Sequence, residues 1–113
     1  LGKPLFPGIC EVDQLFQIFS KLGAPRHVNW PEFPKLPNYS FEFPNWHKRD
    51  VAVHLPENVD PAGIDLIGKM LTVNPAERIT AEDALQHPYF DEERRLLALE
   101  TTTSTTTAAS TIL

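Results

Sequence analysis

The stretch Thr72–Phe90, TVNPAERITAEDALQHPYF, decides how this chain is read. Asn74-Pro75 favours a turn, because a proline ring clashes with helical geometry at the residue before it. Thr80 has the chemistry of an N-cap. Glu82 and Asp83 follow in the first turn, where acids suit the free N–H groups and positive end of a helix. A short helix is predicted over 81–86. It ends before Pro88, which has no N–H and restricts His87. Arg78 then sits on the turn between two helices. A guanidinium in such a corner either forks onto a carboxylate or backbone carbonyls, or points into water. Local sequence leaves both open.

Upstream of that corner, DPAGIDLIGKML (residues 60–71) predicts a helix over 61–71. Asp60 caps it and Pro61 takes the first helical position, where a missing N–H costs nothing. Ile64, Ile67 and Leu71 share a face, and Leu66 and Met70 widen it, so burial over much of the circumference is expected. Further upstream, CEVDQLFQIFSKLG (residues 10–23) predicts an amphipathic helix over 11–22. Its stripe is Val12, Leu15, Phe16, Phe19 and Leu22, widened by Ile18. Gly23 is a natural stop, and Cys10 falls at the N-cap, a position cysteine serves poorly.

Residues 24–59 carry no periodic pattern, yet aromatics and prolines alternate along them: Trp30-Pro31, Phe33-Pro34, Leu36-Pro37, Phe43-Pro44 and Trp46. Disordered linkers are poor in aromatics, so this segment is expected to be ordered, irregular and anchored by its rings. Downstream, Asp91 is placed to cap a short helix over 91–100. The threonine-rich run 101–113 reads as a low-complexity, disordered tail.

With 113 residues the chain suits one small domain, and the net charge of −5 has no basic density of the kind nucleic acid requires. One cysteine, Cys10, excludes an internal disulfide and a four-cysteine zinc site. No apolar run nears the roughly 20 residues of a membrane helix, and no signal peptide is visible. The chain opens at Leu1 and its single methionine is Met70, so a processed product or a fragment is expected.

Catalytic chemistry is missing from the residues. His47-Lys48-Arg49-Asp50 echoes a kinase H-R-D loop, but Lys48 intervenes and no asparagine follows at the required place, so it reads as a polar turn. The four histidines have no zinc-type spacing. Glu82-Asp83 and Glu92-Glu93 suit helix starts better than acid–base catalysis. Gly63 and Gly68 are isolated, so no phosphate-cradling loop exists.

The order of these parts resembles the later half of a protein-kinase C-lobe. GKPLFPGICEVDQLFQIFSKLGAP (residues 2–25) is similar to the family's G-helix region. WPEFPKLPNYSFEFPNW (residues 30–46) resembles the insert of cyclin-dependent kinases. GIDLIGKMLTVNPAERITAEDALQHPYF (residues 63–90) resembles the H and I helices with their closing signature. The match spans Leu1 to about Phe90. It is closer to the cell-cycle branch of the CMGC serine/threonine kinases than to the mitogen-activated branch, whose insert is longer.

The resemblance implies a mainly α fold: a C-lobe segment over 1–90, with helices G, H and I and a long insert between the first two. It implies a parent that phosphorylates protein serine and threonine using ATP and magnesium. The residues that hold those cofactors all lie upstream of the matched part, so none belongs to this chain, which is expected to be inactive alone. It also implies a structural role for Arg78, whose family counterpart pairs with the glutamate of the A-P-E-type motif, again upstream. Expected partners are the rest of the kinase domain, a cyclin through the parent, and a small regulatory subunit. The family positions that receive such a subunit correspond to Glu11, Val12, Asp13 and the loop Pro37, Asn38, Tyr39, Ser40, Phe41, Glu42. Here Asn38 stands for an Asp, Ser40 for a Lys, Phe41 for a Pro and Glu42 for a Ser, while Ile9 and Cys10 replace an Asp and a capping Ser. The alternative is that Tyr39, Phe41, Phe43 and Trp46 only tuck the loop onto the lobe. An intracellular place, nuclear or cytoplasmic, is implied too. Cut from its lobe, the chain is expected to be loosely packed or prone to associate. Three readings stay open: a segment of a working kinase, a non-catalytic docking module for a small kinase regulatory subunit, or a non-functional truncated fragment.

Overall fold

A computed structural model describes residues 1–26, 28–39 and 43–112, with side chains as far as Thr102. The chain divides into two units, Leu1–Ile79 and Thr80–Leu113. Its regular elements among the described residues are helical: α1 (Glu11–Leu22), α2 (Pro61–Met70), α3 (Ala81–Leu85) and α4 (Asp91–Ile112), with 3₁₀ turns at Phe33–Lys35, Val51–His54 and Pro88–Phe90.

In the first unit, α1 starts at Cys10, whose Sγ accepts the Asp13 N–H at 3.4 Å. The Asp13 carboxylate reaches back to the Ile9 N–H at 3.0 Å, so two free donors are satisfied reciprocally. The helix ends at Gly23, with φ +97° and ψ +142° and its N–H on the Phe19 carbonyl. Glycine is required there for a second reason. A Cβ would stand 2.8 Å from the Lys48 nitrogen and 2.9 Å from its Cα, because the returning insert crosses at that point. The neighbouring Ala24 N–H donates to the Trp46 carbonyl at 3.0 Å.

The described residues between 24 and 59 are irregular apart from the two 3₁₀ turns, and Phe33, Phe43 and Trp46 pack their rings on α1. Phe43 meets Phe19 and Phe16 edge-on at 4.8 and 5.3 Å, and Trp46 meets Phe16 at 5.6 Å. Phe33 touches Phe19, Trp30, Tyr39 and Phe43. Such pairs contribute about 0.5–1.5 kcal/mol each beyond area burial, which is how a segment without regular structure is held. The turn 51–54 packs between α1 and α2. His54 Nε2 lies 3.3 Å from the Lys21 carbonyl at the end of α1.

α2 is capped by Asp60, whose carboxylate accepts the Ala62 N–H at 3.0 Å, with Pro61 in the first position. Its burial differs from the expected stripe. Gly63 and Leu66 are the buried positions, whereas Ile64 and Ile67 are half-buried and Met70 is 52% exposed. Among the described residues the buried apolar set is only Phe19, Ala24 and Leu66. A cavity of about 620 Å³ lies along the Ile64, Gly68 and Leu71 face of α2, closed on its other side by Leu22 and Val51.

In the second unit, Thr80 Oγ1 accepts the Asp83 N–H at 3.1 Å and starts α3. The helix stops one residue earlier than the predicted 86, and α2 likewise ends at Met70 rather than 71. His87, buried, uses Nδ1 to accept the Tyr89 N–H at 3.0 Å and begins the turn 88–90. Arg94 donates to the Leu85 and His87 carbonyls and pairs with Asp91, tying the first turn of α4 back to the end of α3.

The C-terminal expectations are corrected. Asp91 is the first residue of α4, not its cap, and the helix runs past 100 to Ile112 instead of giving way to a disordered tail. No glycine or proline follows Pro88, so no residue breaks the helix, and threonine costs only a few tenths of a kcal/mol per position.

Candidate partner-docking surface

Arg78 is resolved by its geometry. Its Nε donates to the Thr72 carbonyl at 2.8 Å and its Nη2 to the Val73 carbonyl at 3.1 Å. These are carbonyls just past the end of α2, where helix geometry leaves acceptors free. The side chain is nevertheless exposed, and among the described residues no carboxylate lies within ion-pair distance of it. The arginine therefore both forks onto backbone carbonyls and remains exposed. The corner itself is held by Asn74, buried at 7% exposure. Its Oδ1 accepts the Ala76 N–H and its Nδ2 donates to the Asn29 carbonyl at 3.1 Å, linking the turn to the insert.

The expected docking positions are only partly brought together. Glu11 and Val12 are exposed on the first turn of α1, and Asp13 spends its carboxylate on the Ile9 N–H. Pro37, Asn38 and Tyr39 lie together on the exposed turn after the 33–35 element. Ser40, Phe41 and Glu42 lie outside the described residues. A groove of about 300 Å³ opens beside Pro37–Tyr39, with Leu15 of α1 on one wall and Trp30, Phe33 and Leu36 on the other. Glu11 and Val12 are four and three residues before Leu15, hence on the same helix face one turn along.

Sequence reading missed Leu15, Trp30 and Leu36 as part of this surface. Leu15 belongs to the apolar stripe of α1, yet it is 38% exposed, and Leu36 is 41% exposed. No signal in the sequence separates a stripe residue that packs from one that rims a groove. Tyr39 packs its ring edge-on against Phe33 at 5.3 Å while the residue stays 46% exposed.

The kinase-like decoy carries no catalytic geometry. His47 Nδ1 sits 3.1 Å from Arg26 Nη2, and Asp50 accepts the Ala52 N–H as the cap of the 51–54 turn. Among the described residues there is no cluster of three metal-ligating side chains, and no helix is long and apolar enough to cross a membrane. No family model matches the chain.

Proposed function

We propose that this chain is the C-terminal part of the C-lobe of a cyclin-dependent-type serine/threonine protein kinase, in which it acts as a buttress and as a docking part. One observation carries the reading. Arg78 is fixed by two of its donors to the Thr72 and Val73 carbonyls and the residue is still exposed, so a carboxylate from another segment can reach it. In the resembled family the matching arginine meets such a carboxylate at the end of the activation segment. The cavity along the Ile64–Leu71 face of α2 supports the same reading, because a helix face of this kind suits packing against further elements of a lobe. In this proposal ATP and magnesium bind upstream in the parent, and phosphoryl transfer is a property of the whole enzyme.

The test is the coding sequence immediately upstream of Leu1 in the native transcript. An in-frame continuation through D-F-G and A-P-E-type motifs is the expected result. A stop codon or unrelated sequence there overturns the proposal. A second reading, a docking module without catalysis, is favoured by the exposed groove beside Pro37–Tyr39, which needs no upstream lobe to exist. Magnesium-dependent kinase activity from the purified 113 residues would contradict both.

A further inference from the structure

We propose that His87 is a proton-sensitive latch, closed when its imidazole is neutral and opened when it is protonated, that sets how firmly the 88–90 turn and the start of α4 are held to α3. Pro88 has no N–H, so the Tyr89 N–H is the first donor of the turn that needs an acceptor. The His87 Nδ1 supplies it at 3.0 Å, from a residue only 6% exposed. A backbone N–H can only donate. Nδ1 must therefore keep its lone pair, and the proton of the neutral ring is on Nε2. A proton on Nδ1 removes the acceptor and sets two donors against each other. The main chain of His87 belongs to the same joint. Its N–H donates to the Ala84 carbonyl at 3.1 Å, and its carbonyl accepts the Phe90 N–H at 3.0 Å and Arg94 Nη1 at 3.2 Å. Charge acts in the same direction. The new cation stands beside the Arg94 guanidinium and ahead of the positive end of α4. Within this unit, Asp91 is engaged by Arg94 and Glu92 by Arg95, Glu93 is the third acid of that turn, and Glu82 and Asp83 lie in the first turn of α3, away from its His87 end. His54 is the contrast. Its Nε2 faces the Lys21 carbonyl at 3.3 Å, which can only accept, so a protonated ring keeps that bond.

This inference stands apart from the kinase reading, since it rests on the α3–α4 joint alone. The full chain, labelled with nitrogen-15, is titrated by NMR from about pH 8 to about pH 5, the range in which imidazoles take up a proton. Long-range proton–nitrogen spectra read each ring nitrogen directly. At pH 8 the His87 Nδ1 is expected bare and its Nε2 protonated. On acidification the Tyr89 amide resonance should move with the same midpoint as the His87 ring. Hydrogen-exchange protection of Tyr89, corrected for the intrinsic pH dependence of exchange, should fall about three- to tenfold. The Leu55 amide, next to His54 and bonded to the Ala52 carbonyl, should keep its protection. His87→Asn places an oxygen where Nδ1 stands and cannot take up the proton, so Tyr89 should stay protected throughout. A proton on Nδ1 at pH 8, a Tyr89 amide unprotected at pH 8, or Tyr89 protection that is unchanged while the ring titrates each overturns the proposal in the unaltered chain, whatever the variant does. A pH response that persists in His87→Asn overturns it as well.

Discussion

Replacing Gly23 by alanine tests the crossing on which the first unit depends. Two costs add. The backbone at φ +97°, ψ +142° is close to a region reserved for glycine, and holding another residue there costs about 1–3 kcal/mol. The new Cβ also meets main-chain atoms of Lys48 at 2.8 and 2.9 Å, and backbone cannot rotate aside as a side chain does. Residues 46–48 must withdraw, which endangers the Ala24 N–H bond to Trp46, a further 0.5–1.5 kcal/mol or so. A loss of about 2–4 kcal/mol follows, local to the crossing. Hydrogen exchange read by mass spectrometry reports local opening directly. At about tenfold per 1.4 kcal/mol, peptides containing Ala24 should exchange some 30- to 1000-fold faster. Gly68→Ala is the internal control with the opposite sign. Its Cβ would sit 3.6 Å from Val51 Cγ1, an ordinary contact, inside α2. Alanine there should stabilise the helix by about 0.5–1 kcal/mol and slow exchange of the Leu71 amide about two- to fivefold. Gly23→Ala exchanging within twofold of the unchanged chain would refute the crossing. Equal acceleration in both variants would show that glycine matters only as general flexibility.

Further outcomes follow from the same geometry. Arg78→Lys removes the fork, because one ammonium cannot reproduce the planar geometry that holds two carbonyls. About 1 kcal/mol should be lost at the turn after α2, with faster exchange at Ile79, whose N–H donates to the Lys69 carbonyl at 3.3 Å. Unchanged exchange would mean the guanidinium is simply solvated. Phe33→Ala deletes the ring that four others touch and should cost about 3 kcal/mol or more. Loss of near-ultraviolet circular dichroism with retained far-ultraviolet helix signal is the expected readout. A retained near-ultraviolet spectrum would show that the insert is not held by its rings. Cys10→Ser supplies a better N-cap than the Sγ now 3.4 Å from the Asp13 N–H. It should raise the stability of α1 by about 0.5–1 kcal/mol in urea titration, and a fall would show that the thiol contributes more than capping.

Local chemistry was enough to place every helix start that depends on a cap. Asp60-Pro61 and Thr80 begin α2 and α3 where their side-chain oxygens can accept a free N–H, and even a weak cap at Cys10 holds its place. Those interactions span two or three residues, so they are legible without knowing the fold. The same holds for the stop at Gly23, although the sequence supplied only half of its reason. The other half, the passage of Lys48, joins positions far apart in the chain. The C-terminal helix was underestimated because composition described the threonines but not the absence of a breaker after Pro88.

The sequence by itself determined that the chain is mainly helical, where α1 to α3 lie, and that the proline- and aromatic-rich insert must be anchored. It also placed Arg78 at a corner. Only the tertiary structure decided what Arg78 holds, which residues of the stripes are buried, and that Leu15 and Tyr39 rim one groove. The physical reason is range. Caps and turns are set by groups a few bonds apart, whereas burial, ring pairing and the choice of hydrogen-bond acceptor depend on which distant segment returns to the same place.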